Sequence, residues 1–268
     1  MSSATEHTPL IIGHRGAAAC APENTLVSFE RAILDGADGI EFDVRLARDG
    51  AAVVIHDATL KRTGRRPDEV SALSSEELSR MDVGTWFNLR HPSSARREYA
   101  EACVPTLAEV FERFGRGRCL LYVEMKCGPN ESRALAAEVA RQVRQHSLHD
   151  SVVAESFYLD AIAEIKRVDA SIRTAALFEP TRTRPFPSIR KMIERAHACR
   201  ADELALHRLL ATGRSVEAAR EAGLRVVVWT VDNPAWVRRA VSFRMHGLIT
   251  NDPARMRPSA QLRETLSG

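Results

Sequence analysis

Short apolar runs alternate with helical stretches along almost the whole chain, and this alternation restricts the possible folds more than any other feature. Nine runs are β-branched or apolar: Leu10–Ile12, Gly39–Leu46, Ala52–His56, Cys119–Met125, Ser151–Ala154, Ile172–Phe178, Glu203–Leu206, Arg225–Trp229 and Gly247–Thr250. Between most of them apolar residues recur at helical spacing, as in Thr25–Asp35, Thr106–Phe114, Glu131–Gln145, Tyr158–Val168, Ser188–Cys199, Ser215–Ala222 and Ala235–Val241. Strand alternating with helix predicts an α/β fold with a parallel sheet. A parallel crossover needs about a dozen residues or more. Only Ala47–Ala51 separates the second run from the third, and it contains Asp49-Gly50, a hairpin turn signal. Those two runs therefore read as an antiparallel hairpin. The eight remaining strands fit a closed (β/α)8 TIM barrel, a fold of about 250 residues. An open doubly wound sheet is the alternative, because periodicity does not report closure.

A chain of 268 residues can hold one such barrel or two small domains. Thr59–Cys103 decides between them. It is long, polar and turn-rich (Gly64-Arg65-Arg66-Pro67, His91-Pro92-Ser93-Ser94), with one short helix expected near Ser74. There Ser74 and Glu77 have the spacing of a capping box, as do Thr106 and Glu109 further on. Connections of this length in compact domains carry a function or are disordered. The segment reads as an insertion after the hairpin, lying over one end of the barrel. The expectation is a single domain over residues 1–268, its core spanning about 10–253, with a polar, frayed tail after Pro253.

Several classes drop out on composition. Lys+Arg at 38 against Asp+Glu at 35 leaves a net charge of +3, without the basic field that would point to a nucleic acid partner. Arg182–Arg190 has one interleaved aromatic, Phe186, and reads as a solvated face. No apolar stretch is long enough for a membrane span. The start, MSSATEHTPLIIGHRG, lacks a basic segment followed by a long apolar run, so no secretory signal is expected. Five scattered cysteines without a CxxC pair support neither a disulfide framework nor a thiolate zinc site. A cytoplasmic location is the simplest fit.

The strongest chemical signal is Glu41-Phe42-Asp43 on the second run. Residues two apart on a strand share a face, so Glu41 and Asp43 point together. On an inward face they would repel and lose solvation, which a hard divalent cation would relieve; on an outward face they are merely solvated. A turn centred between Arg48 and Asp49 would set His56 opposite Glu41 and Asp43 near Val54. Asp57, beside His56, has no assigned role. Gly13-His14-Arg15-Gly16 presents an imidazole and a guanidinium suited to phosphate oxygens, although a lone histidine at a strand end is more often structural or solvated. Glu124 and Lys126 share a face at the end of a buried run, either as a salt bridge or as a metal ligand with a phosphate-neutralising ammonium. Trp229 either lines a pocket or covers the barrel end. Ser156 lacks a G-x-S-x-G elbow around it.

Taken in order, the motifs identify a likeness. His14-Arg15-Gly16, Pro22-Glu23-Asn24-Thr25, Glu41-x-Asp43-Val44, Asp49-Gly50, Val54-x-His56-Asp57, Val104-Pro105-Thr106-Leu107-x-Glu109, Glu124-x-Lys126, Trp229-Thr230-Val231 and Gly247-x-Ile249-Thr250 resemble the glycerophosphodiester phosphodiesterase family. That family is related in fold to phosphatidylinositol-specific phospholipases C. The resemblance implies a (β/α)8 barrel with an inserted segment after the hairpin histidine. It implies metal ligands at Glu41, Asp43 and Glu124, with Mg²⁺ or Ca²⁺ as the ion and Mn²⁺ a further candidate. His14 and His56 would form the acid–base pair, and Arg15 and Lys126 would face the phosphate. Trp229 would wall the substrate pocket, while Glu23 and Asn24 brace its mouth. The implied reaction is metal-dependent hydrolysis of a small glycerophosphodiester to glycerol 3-phosphate and an alcohol, a step of lipid and glycerol metabolism. Two departures stand out: Ala47-Arg48 replaces a Thr-Lys-like pair, and Asn251-Asp252-Pro253 replaces an aspartate directly after Thr250. The competing readings are a lysophospholipase D acting on lysolipids and a non-catalytic barrel that binds phosphate-bearing metabolites. An insertion rich in Arg, Ser and Glu favours small water-soluble diesters over lipids. Headgroup and oligomeric state are left open.

Overall fold

The computed structural model describes residues 8–182 and 187–257. Among the described residues nine strands form: β1 (Leu10–His14), β2 (Gly39–Leu46), β3 (Ala52–Val54), β4 (Leu120–Met125), β5 (Val152–Ser156), β6 (Arg173–Phe178), β7 (Glu203–His207), β8 (Arg225–Trp229) and β9 (Gly247–Thr250). Their order is β1-β9-β8-β7-β6-β5-β4-β2-β3, and β1 also pairs with β2. That last pairing closes eight parallel strands into a barrel and excludes the open sheet. β2 is long enough to serve two partners on one edge. Its residues 39–41 pair with β1, and beyond them Val44–Leu46 pair antiparallel with β3.

The hairpin register differs from the sequence expectation by one residue. Val44 lies opposite Val54, and Leu46 opposite Ala52, so His56 falls past the end of β3 and not opposite Glu41. The cause is the turn. Ala47 N–H donates to Ala51 O, leaving a three-residue loop in which Gly50 adopts φ +81°. A left-handed third residue is the usual solution for such a loop, and glycine enters it without steric cost.

Helices cover the barrel where the periodicity placed them, from Leu26–Leu34 and Leu107–Phe114 through to Ala235–Phe243. Both expected capping boxes form, at Ser74/Glu77 and at Thr106/Glu109. The apolar residues sort into two layers. Phe29, Phe42, Leu107, Phe111 and Leu121 are among those packed between sheet and helices. Inside the barrel, Ile12, Tyr122, Val153, Ala175, Ala205, Val227 and Ile249 form an apolar plug. The polar groups at the carboxyl end of the strands therefore rest on an apolar floor.

Residues 59–103 pack in two small apolar clusters shared with the hairpin and with the loop after β1. Leu60, Val70, Leu78 and Val83 pack on Ala47, Val53, Ile55 and Val104 behind the hairpin. Phe87 and Tyr99 pack on Ala21, in the loop after β1. Tyr99 Oη donates to Cys20 O at 3.1 Å, and its ring meets Phe87 edge-on at 5.6 Å. The tail does not fray at Pro253: Asp252 caps a helix over Pro253–Met256, and Arg257 donates to Gly36 O. Part of the Arg-rich segment, residues 183–186 with Phe186, lies outside the described residues.

Tyr99 thus ties residues 59–103 to the loop after β1, which carries Arg15. Replacing it, Tyr99→Ala, is expected to cost ~3–5 kcal/mol, the usual range for emptying a buried aromatic site. Urea denaturation would measure this, and a loss below about 1 kcal/mol would show that the insertion is not packed as described.

Candidate active site

Strand alternation sets the site. Glu41 and Asp43 on β2, Glu124 on β4 and Glu155 on β5 lie at the carboxyl end, above the apolar plug. Glu41 is registered beside His14 across the parallel β1–β2 pair. Glu124 is registered beside Asp43 on one side and Glu155 on the other. All four carboxylates are buried.

Their electrostatics divide them into two kinds. Asp43 is surrounded by donors. Arg15 Nε lies 3.1 Å from Oδ2, Lys126 Nζ 3.2 Å from Oδ1, and Asn24 Nδ2 donates to Oδ2 at 2.8 Å. Asn24 also accepts from the Asp43 backbone N–H at 3.2 Å, so one amide holds both the strand and its side chain. Burial alone would push the Asp43 carboxyl up, but Arg15 and then Lys126 hold it well below the usual range. The other three form a tight group. Oxygens of Glu41, Glu124 and Glu155 lie within 4.8 Å of one another. Burial comes first and charge repulsion second, from Asp43 on Glu41 and Glu124 and from Glu41 and Glu124 on Glu155; together they raise all three above the ordinary carboxylate range, Glu124 to about 7. Glu41 accepts from the Arg15 backbone N–H at 3.0 Å, and Glu124 lies 2.6 Å from Lys126 Nζ.

The loop after β1 presents its groups through two left-handed residues. Arg15 has φ +50° and Gly16 φ +86°; a Cβ on Gly16 would stand 2.6 Å from the Ser28 backbone. This tight turn folds Arg15 back over β2. Arg15 Nη1 then reaches Glu23 at 2.8 Å.

Both histidines have one ring nitrogen committed. Asn251 Nδ2 donates to Asp232 Oδ2 at 2.9 Å, which leaves Asn251 Oδ1 to accept from His14 Nδ1 at 2.7 Å. A carboxylate can only accept, so Asp232 orients the amide and the amide selects the tautomer of His14. The His14 Nε2 lone pair then faces the site, 3.9 Å from Glu41. Asn251, the departure noted after Thr250, is thus an orienting group for His14. Burial, followed by the Arg15 charge, pulls the His14 pKa down to about 4. His56 Nδ1 is paired with Asp57 Oδ1 at 2.7 Å, again leaving Nε2 free.

Arg62, from the insertion, connects the two sides of the mouth. It donates through Nε to Asp57 at 2.7 Å and through Nη1 and Nη2 to both oxygens of Glu23. The resulting chain runs His56–Asp57–Arg62–Glu23–Arg15–Asp43. Sequence reasoning missed Arg62 because nothing local relates it to Glu23, 39 residues earlier. It missed Glu155 because the fifth apolar run stops at Ala154, one residue too soon. Ser156 faces outward and donates to Met125 O, supporting the strands from behind.

One cavity of about 190 Å³ gathers His14, Arg15, Glu41, His56, Glu124, Lys126 and Trp229, together with Glu155, Phe157, Leu177, Glu179 and Ile249. Asp43, Glu23 and Asn24 are not on its wall; they stand behind the residues that are. Trp229 packs edge-on against Phe157 at 5.5 Å, donates through Nε1 to Ala205 O at 3.2 Å, and is a wall of the cavity. Lys126 Nζ lies 5.6 Å from the Phe157 ring centre.

The chain as a whole is similar to known proteins. The sequence pattern of the glycerophosphoryl diester phosphodiesterase family matches residues 14–255. A glycerophosphodiester phosphodiesterase of Caldanaerobacter subterraneus is 30% identical over 246 residues, covering 91% of this chain and 94% of its own. One from Bacillus subtilis is 29% identical over 251 residues, covering 91% and 84%. Among solved structures, an Oleispira antarctica phosphodiesterase in complex with the product sn-glycerol-3-phosphate superposes with a TM-score of 0.80 at 25% identity, covering 93% of this chain and 95% of that one. A glycerophosphodiester phosphodiesterase from Agrobacterium tumefaciens gives 0.74 at 28% identity, covering 92% and 98%. The chain belongs to the glycerophosphoryl diester phosphodiesterase family and is an enzyme of that class.

Proposed function

We propose that this enzyme hydrolyses small glycerophosphodiesters to glycerol 3-phosphate and an alcohol, in a cation-dependent reaction with His14 and His56 as the acid–base pair. The observation that carries this reading is one cavity walled by both histidines, by Arg15 and Lys126, and by carboxylates from β2, β4 and β5. Product binding by the Oleispira relative supports glycerol 3-phosphate as the retained fragment.

The donor set is all oxygen, which suits a hard divalent ion such as Mg²⁺, Ca²⁺ or Mn²⁺. Repulsion among buried Glu41, Glu124 and Glu155 is what such an ion would relieve. Glu41, Asp43 and Glu124 are the ligands inferred from the family resemblance, Asp43 already shared with Lys126. When bound, the ion supplies charge neutralisation for the phosphodiester and lowers the pKa of a coordinated hydroxyl.

The chain's own groups do the rest. Arg15 and Lys126 line the cavity and offer donors to the non-bridging phosphate oxygens. The free Nε2 of one histidine takes the proton of the glycerol hydroxyl as that oxygen attacks phosphorus. The other histidine gives a proton to the departing alcohol, so a cyclic phosphate forms as the ester bond breaks. Water then opens the ring with the two roles exchanged, returning both histidines to their starting state. Asp57 and Asn251 keep each imidazole in the tautomer this exchange needs. The apolar plug below and the Phe157–Trp229 corner limit water beside the reacting atoms. A cavity of about 190 Å³ fits a glycerophosphoryl group more readily than a lysolipid chain.

His14→Ala and His56→Ala should each lower kcat by ~10²–10⁴-fold on glycerophosphodiesters. Wild-type turnover in both variants would remove the histidine pair from the reaction. Exhaustive chelation should abolish release of glycerol 3-phosphate, and Mg²⁺, Ca²⁺ or Mn²⁺ should restore it; full activity in chelator would eliminate the ion. Arg62 acts through Asp57 and Glu23, so Arg62→Ala should lower kcat by ~10–100-fold with a smaller change in KM, as losses of orienting partners do. Arg62→Lys should rescue little, because an ammonium cannot span both carboxylates as the guanidinium does. An unchanged kcat in Arg62→Ala would rule out that positioning role.

A further inference from the structure

Among the described residues, Glu155 is the one buried carboxylate at the barrel mouth whose environment offers it no donor. It is fully buried on β5, and neither oxygen has a hydrogen-bond partner. Its neighbours are all engaged: Asp43 by Arg15, Lys126 and Asn24, Glu41 by the Arg15 N–H, Glu124 by Lys126. Deeper in the barrel, Glu203 accepts from Tyr122 Oη at 3.0 Å and lies 3.0 Å from Arg225. A buried ionised carboxylate without a partner costs several kcal/mol, and an apolar side chain in its place would avoid that cost. On the adjacent β6 the inward positions are Ala175 and Leu177, which do just that. The position of Glu155 therefore calls for a partner that the protein itself does not supply.

The strand geometry aims it at one. Glu155 follows Val153 of the apolar plug by two residues, so it points inward one layer higher. It is registered beside Glu124, borders the same cavity, and has an oxygen within 4.8 Å of oxygens on both Glu41 and Glu124. We propose that Glu155 is a direct ligand of the divalent cation, a carboxylate from β5 added to the set on β2 and β4. The inference rests on the cation-dependent reading above and extends it to a residue outside the family motifs. A set richer by one carboxylate carries more negative charge and favours tighter binding of a hard divalent ion.

The test is isothermal titration of the metal-free enzyme with Mn²⁺, Mg²⁺ and Ca²⁺ separately, comparing wild type with Glu155→Gln. Glutamine keeps the size and one oxygen but removes the charge. The expected result is a rise in Kd of ~10-fold or more, by analogy with the 10–100-fold losses seen when partners around a metal site are removed. The ion-free variant should melt at or above the wild-type temperature, since it no longer opposes Glu41 and Glu124, and the ion-induced rise in Tm should shrink. Glu155→Leu, which copies the apolar choice at neighbouring Leu177, provides the same comparison should the glutamine variant fold poorly. Wild-type affinity in either variant, with wild type itself binding the ion, would overturn the ligand role of Glu155 while leaving the cation-dependent reaction standing. No ion binding by wild type would overturn both.

Discussion

A buried negative charge on β2 has to be balanced, and the architecture of the mouth follows from how Asp43 is balanced. Two cations and one amide converge on it: Arg15 from the loop after β1, Lys126 from beyond β4, and Asn24 from the entrance to the first helix. Each of these is held by something further out. Arg15 is fixed by Glu23, Glu23 by Arg62, and Arg62 by Asp57, which also orients His56. The network places two cations of the cavity wall and one imidazole at once, from segments far apart in the chain. The network is buried at Asp43 and half-exposed at Asp57 and Arg62, where water screens the ion pairs and their main contribution is to geometry.

The barrel beneath is indifferent to this chemistry. Its plug of Ile12, Val153, Ala175, Val227 and their neighbours would support almost any set of residues at the carboxyl ends of the strands. What the plug contributes is an apolar, low-dielectric base. Charges resting on an apolar floor interact more strongly than they would in water. This is why burial raises Glu41, Glu124 and Glu155 while the same burial leaves Asp43 ionised between its cations.

Much of this is legible in the chain. Two-residue periodicity on β2 and β4 identifies Glu41, Asp43, Glu124 and Lys126, and the short spacing around Asp49-Gly50 separates the hairpin from the eight barrel strands. The misreadings have physical origins. The register slips by one because a left-handed Gly50 makes the turn a three-residue loop, a geometry that the dipeptide alone does not distinguish from a tighter one. Glu155 is overlooked because a charged residue looks like the end of an apolar run, although inside a barrel it continues the strand. Arg62 is out of reach altogether. Its partners are defined by the packing of the insertion, and pattern reading along the chain carries no information about contacts of that range.

Cation dependence requires that the carboxylates above the plug form an ion site beside the two histidines. A crystal grown with Mn²⁺ and measured at the manganese absorption edge tests this directly, because the anomalous signal locates the ion by element. One strong peak is expected inside the cavity, between the ends of β2, β4 and β5 and within reach of Glu41 and Glu124. A peak confined to the outer surface, or an empty cavity in crystals that hold Mn²⁺ elsewhere, would contradict it.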